Sequence, residues 1–204
     1  MKIKVCGMKA PENIAAVSAL GIDYMGFVFY APSPRYVVDT LSIDSLADEN
    51  INAVAVFVDE EIDKVQILLE EHNFKHVQLH GKENPDYCQK MKEAGFVVIK
   101  AFRVNDDFDF STLEQYLPVC DYFLFDTKGK THGGTGKKFN WSILQQYDYN
   151  KPFFLSGGIG PEDNAQLLAF KHPQLYALDL NSKFEIGPGE KNVDLLRSFI
   201  EKPI

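Results

Sequence analysis

Asp126 closes the run Asp121-Tyr-Phe-Leu-Phe-Asp126, and a glycine-rich stretch, Gly133-Gly-Thr-Gly136, follows soon after it. Tyr122–Phe125 reads as a buried strand, and a carboxylate at the carboxyl end of such a strand is costly unless it has a task. Two readings of Asp126 stand side by side. It is a loop cap that accepts backbone N–H groups, or it is a general acid that keeps a proton near neutral pH through burial or a nearby phosphate. The glycines beyond it would let N–H groups approach an anion. They lack the spacing of a nucleotide-binding loop. An acid beside an anion-binding loop suits an enzyme for a phosphorylated small molecule.

Other residues of chemical interest stand at the ends of similar apolar runs. Cys6, in Val5-Cys6-Gly7, is a small buried hydrophobe or a thiolate base, the latter if a cation or helix-terminal N–H groups favour the ionised form. Gly7 would allow close approach of a ligand. Arg35, between Pro34 and Tyr36, carries a planar fork suited to a carboxylate. His80 ends Val77-Gln-Leu-His80; it is a structural histidine or a substrate contact. Gly157-Gly158, followed by a helix signal at Pro161, fits a phosphate site, to which Ser182 could add a hydroxyl. Asp179 ends the last such run. No histidine or cysteine spacing predicts a metal site, and Cys88 and Cys120 read as structural.

Eight strand-like runs must position these residues: Ile3–Cys6, Tyr24–Phe29, Asn52–Val58, His76–Leu79, Val97–Phe102, Tyr122–Asp126, Phe153–Leu155 and Tyr176–Asp179. Helical patterns alternate with them at Asn13–Leu20, Ile43–Asp48, Ile62–His72, Pro85–Ala94, Trp141–Tyr147, Pro161–Phe170 and Asn192–Glu201. Thr112–Tyr116 is too short to assign. Pro11 and Pro161 suit first helical turns; Gly21 and Gly95 suit positions just past helix ends. Eight βα units in 204 residues predict a compact (β/α)8 barrel in a single domain. An open doubly wound sheet fits the same strand count. In a barrel the active site gathers at the carboxyl ends of the strands, where all the residues above stand.

Net charge of −8 disfavours a nonspecific grip on nucleic acid or anionic membrane, so an anionic substrate must be held by local N–H groups and a few basic side chains. Apolar runs are strand-sized, and three cysteines with no pairing logic fit a reducing, cytoplasmic setting.

Taken in order, Lys4-Val-Cys-Gly7, Gly26-Phe-Val-Phe-Tyr30, Ser33-Pro-Arg-Tyr-Val37, Val56-Phe-Val58, Val77-Gln-Leu-His-Gly81, Gly133-Gly-Thr-Gly136 and Gly157-Gly158 resemble phosphoribosylanthranilate isomerase of tryptophan biosynthesis. The resemblance spans nearly the whole chain and implies a (β/α)8 barrel that performs an Amadori rearrangement without cofactor or metal, as a monomer or a homodimer. It implies Cys6 as general base and Asp126 as general acid. Arg35 would bind the anthranilate carboxylate, Asp179 would lie near the anthranilate amine, and Gly157, Gly158 and Ser182 would hold the phosphate. The loop Asp179-Leu-Asn-Ser-Lys-Phe-Glu185 departs from the family's Asp-Val-Ser-Ser-Gly-Val-Glu, bringing Asn181 and Lys183 to the phosphate side. A histidine-pathway isomerase, which would have Asp in place of Cys6, and a catalytically silent ligand-binding barrel are the alternatives. Intact Cys6 and Asp126 argue against the second.

Overall fold

In the computed structural model, which describes residues 1–37, 51–127 and 140–202, eight parallel strands close into a barrel. They are β1 (Lys2–Cys6), β2 (Tyr24–Val28), β3 (Asn52–Phe57), β4 (His76–Leu79), β5 (Val97–Val104), β6 (Tyr122–Thr127), β7 (Phe153–Leu155) and β8 (Leu175–Leu180). Each pairs with its sequence neighbour, and β8 closes on β1 through Ile3↔Leu178 and Lys4↔Asp179. The closed ring excludes the open sheet. The α-helices are α1 (Pro11–Ser18), α2 (Ile62–Glu71), α3 (Pro85–Glu93), α4 (Asn164–Ala169) and α5 (Val193–Ile200). None of the described helices is long and apolar enough to cross a membrane. The helix expected over Ile43–Asp48 lies outside the described residues.

Two expected helices differ. Trp141–Gln146 is a 3-10 turn rather than an α-helix, and the Pro161–Phe170 pattern splits into a 3-10 turn, Pro161–Asp163, and the short α4. Phe110–Tyr116, which takes in the unassigned Thr112–Tyr116, is also 3-10. Asn140 and Asp109 each accept the N–H two residues on, which favours a tight first turn. A small hairpin, β9 (Glu185–Gly187) with β10 (Glu190–Lys191), follows β8 and had no counterpart in the sequence reading.

Side-chain alternation divides the apolar residues into two cores. Ile3, Val5, Met25, Phe27, Val77, Phe123, Phe125 and Leu178 pack outward against the helices. Cys6, Val28, Val54, Val56, Ile99, Ala101, Leu124, Phe154 and Ala177 fill the barrel. The amino-terminal end of the barrel is plugged by Tyr24, Tyr122, Tyr176 and His76; the Tyr24 and Tyr176 hydroxyls lie 2.8 Å apart. Chemistry is thereby confined to the opposite, carboxyl-terminal mouth.

A buried ion pair fastens the β4 exit. Lys100 Nζ, on β5, donates to Glu83 Oε2 at 3.0 Å and to the carbonyls of Leu79, Gly81 and Ala101. Glu83 in turn accepts the N–H groups of Asp59 and Gly81. Both side chains are almost fully buried, so removing one strands the other's charge. Lys100→Met is expected to cost about 3–5 kcal/mol. Urea unfolding checks this: the midpoint should fall with the slope unchanged, and an unaltered midpoint would show that the pair is dispensable.

Candidate active site

Cys6, Asp126, Ser156 and Asp179 all stand at the ends of barrel strands or one residue beyond. β1 and β6 are separated only by β7 and β8 around the ring. A ligand seated in the mouth can therefore meet Cys6 and Asp126 from different sides.

Cys6 is buried, and the nearby charges pull its thiol in both directions. Burial is the largest influence and raises its pKa above the ordinary thiol value; Lys4 and Lys191 oppose this, while Asp179 adds to it. Lys4 is itself wholly buried inside the barrel. Its Nζ donates to Asp179 Oδ1 at 2.7 Å, and its positive charge works against the burial of the Cys6 thiol. Ser156 Oγ donates to the other Asp179 oxygen at 3.1 Å. Lys4 thus stands as counter-cation to two acids, one of them the thiol. Sequence reasoning gave it no role. The available signal was a lysine in the inward register of a strand, two residues before the cysteine.

Asp126 has one hydrogen-bond partner on each oxygen. Thr127 N–H reaches Oδ1 at 2.7 Å, and His80 Nε2 lies 3.2 Å from Oδ2. Gln78 Nε2 lies 2.7 Å from the other ring nitrogen, Nδ1, so both nitrogens of His80 have partners within the protein. Gly157 backs directly onto this acid. Its φ of +93° is left-handed, and a Cβ there would come within 2.7 Å of Thr127 N and 3.0 Å of Asp126 Oδ1. This glycine therefore shapes the acid's surroundings as well as the β7 loop.

Arg35 lies on the β2 loop, partly buried. Its Nε and Nη2 form a forked pair with Glu185 of β9, at 2.8 and 2.5 Å, and Glu185 raises its already high pKa. Lys191 Nζ, also buried, donates to Glu185 Oε1 at 2.6 Å and to Asn181 Oδ1 at 2.7 Å. Against burial, which alone would raise it, the Arg35 and Lys191 cations hold the Glu185 carboxyl below the usual carboxylate range, and Gly189 N–H also donates to it. The unanticipated hairpin thus carries the residues that orient Arg35. Gly7, expected to make room for a ligand, makes room for Arg35: a Cβ on it would lie 2.5 Å from Arg35 Cδ.

Gly158, at φ +74°, continues the left-handed turn begun at Gly157. Ser182 opens the 3-10 turn Ser182–Phe184 just beyond β8. These three residues leave the ends of adjacent strands. The side-chain oxygen of Asn181 is committed to Lys191, and Lys183 is exposed. Gly133–Gly136 lies outside the described residues. No cluster of metal-ligating side chains occurs among the described residues. All three cysteines are buried and free, and Cys88, on α3, and Cys120, just before β6, stand away from the mouth.

A thiol and a carboxyl at the same end of the barrel, an arginine fork and paired left-handed glycines can together perform acid–base chemistry on an anionic sugar derivative. Comparison with known proteins agrees. The family model for N-(5′-phosphoribosyl)anthranilate isomerase matches residues 3–202. The N-(5′-phosphoribosyl)anthranilate isomerase of Phocaeicola vulgatus is 44% identical over 99% of this chain and 97% of its own length. The crystal structure of phosphoribosyl anthranilate isomerase from Thermotoga maritima superposes with a TM-score of 0.86 at 32% identity, covering 98% of this chain and 97% of that one. A structure of the isomerase in complex with reduced 1-(o-carboxyphenylamino)-1-deoxyribulose 5-phosphate gives a TM-score of 0.82 at 30% identity, with the same coverage. This chain belongs to the N-(5′-phosphoribosyl)anthranilate isomerase family.

Proposed function

We propose that the chain converts N-(5-phosphoribosyl)anthranilate to 1-(2-carboxyphenylamino)-1-deoxyribulose 5-phosphate, with Asp126 as general acid and Cys6 as general base. The observation that carries this reading is the pair itself: a thiol beside a buried ammonium and a carboxyl that touches Thr127 N–H and His80 Nε2, both at the same mouth of the barrel. Asp126 gives its proton to the ribose ring oxygen; the C1′–O bond breaks and the anthranilate nitrogen becomes an iminium. The Cys6 thiolate then takes the C2′ proton, and the C–H electrons neutralise the iminium to give an enolamine. The enolamine loses its O2′ proton and gains one at C1′, giving the ketone. Proton transfers of this kind contribute about 10²–10⁴-fold each.

The remaining residues bind. Arg35 takes the anthranilate carboxylate through N–H donors that Glu185 leaves free, since the forked pair uses two of the guanidinium's donors. Asp179, with Lys4 on one oxygen and Ser156 on the other, retains lone pairs for the anthranilate amine. Gly157, Gly158 and Ser182 receive the phosphate. The test is a fluorescence assay with freshly generated phosphoribosylanthranilate. The wild-type chain should turn it over, and absence of turnover would remove the proposal. Arg35→Met should raise KM and slow the reaction by about tenfold or more, a charge-assisted bond being worth about 1.5–3 kcal/mol. An unchanged response to substrate concentration would remove the carboxylate contact.

A further inference from the structure

Gln78 has no part in the scheme above, yet it lies almost fully buried in the barrel next to the residue that touches the acid. Its Nε2 lies 2.7 Å from His80 Nδ1, and its Oε1 is buried without a hydrogen-bond partner. An amide nitrogen can only donate, so Nδ1 must be the bare, accepting ring nitrogen. The ring proton then sits on Nε2, aimed at Asp126 Oδ2. Turning the amide end for end would bury two unpartnered N–H donors in place of one N–H and one carbonyl, and orphaned N–H groups are the rarer defect.

We propose that Gln78 is a positioning residue: it keeps His80 uncharged with its proton on Nε2, so that a neutral donor orients Asp126 and the carboxyl can hold the proton it gives to the ribose ring oxygen. This rests on the reading of Asp126 as the acid. A doubly protonated ring would set a full positive charge beside Asp126 and favour its ionised form, which has no proton to give. A carboxylate at position 78 would draw a second proton onto Nδ1; an amide N–H pointed at Nδ1 opposes one. The backbone holds this arrangement in place, because Lys100 Nζ grips the carbonyls of both Leu79 and Gly81, either side of His80. Arg103 stands in register with Asp126 on the neighbouring strand β5.

The ring-nitrogen ¹⁵N shifts of His80, assigned by their loss in His80→Asn, decide the matter together with kcat and KM for the wild type and Gln78→Glu. The wild-type ring should be neutral with its proton on Nε2. In Gln78→Glu the ring should gain a proton on Nδ1, and kcat should fall by about tenfold or more with KM little changed, a smaller loss than removal of the acid itself. A wild-type ring bare at Nε2 overturns the proposal. So does a loss of kcat without a change in the ring signal, or a changed ring signal at full kcat. Should Gln78→Glu fail to fold, Gln78→Met makes the same comparison with mixed tautomers and a reduced kcat expected; one tautomer at full kcat overturns. The wild-type ring signal is independent of whether Asp126 is the acid, and turnover of an Asp126 variant tests that assignment separately.

Discussion

Cys6→Ser is expected to lower kcat by about 10²–10⁴-fold while leaving fold and ligand affinity nearly intact. Serine fits the same space, but its hydroxyl does not ionise in the range where a thiol does, so the C2′ proton has no acceptor. The flanking ammonium of Lys4, which favours a thiolate, cannot bridge that gap for an alkoxide. The pH profile adds a second, independent signature. Burial raises the Cys6 pKa, and a base with a raised pKa is competent only as pH climbs toward it. The acidic limb of kcat/KM, which reports the free enzyme, should therefore lie above the range of an ordinary thiol and be lost on going down in pH. That limb should vanish from the residual activity of Cys6→Ser. Near-normal turnover in the variant, or a limb unchanged by it, would remove Cys6 from the role of base.

The barrel was legible because each inner strand is a short apolar run bounded by polar or glycine residues, a pattern that needs no knowledge of partners. The strand ends carried Cys6, Asp126 and Asp179 with them. What escaped was of another kind. Nothing along the chain marks Lys4, Lys100 and Lys191 as buried, yet all three are, and the bond from Lys4 to Asp179 joins residues 175 positions apart. A lysine in a strand shows its partner only once the strands are arranged in a ring. The hairpin that presents Glu185 to Arg35 has strands of three and two residues, shorter than any periodicity can register. The helix over Trp141–Tyr147 failed for a local reason: apolar spacing does not separate an α-turn from a 3-10 turn when the capping side chain closes on the N–H two residues ahead.

Asp126→Asn should reduce kcat by a comparable 10²–10⁴-fold, and about this site the structure makes a sharper statement than simple loss of a proton donor. Thr127 N–H fixes which oxygen must remain an acceptor, because it reaches Oδ1 at 2.7 Å. An asparagine that keeps this bond must turn its NH2 toward His80 Nε2, where the ring already offers an N–H. Two donors then face each other. The conflict is relieved if the ring moves its proton to Nδ1, but Gln78 Nε2 waits there as a further donor. One hydrogen bond of the chain must break, at a cost of about 1 kcal/mol, so the substitution should lower the unfolding temperature slightly as well as the rate. Kinetics and calorimetry on the same preparation separate the two effects. A large loss of kcat with a small loss of stability supports Asp126 as the acid, held by a directional chain that begins at Gln78. Near-normal turnover would remove Asp126 as the acid, and unchanged stability would mean that the chain tolerates reversal and does not fix the direction of the proton.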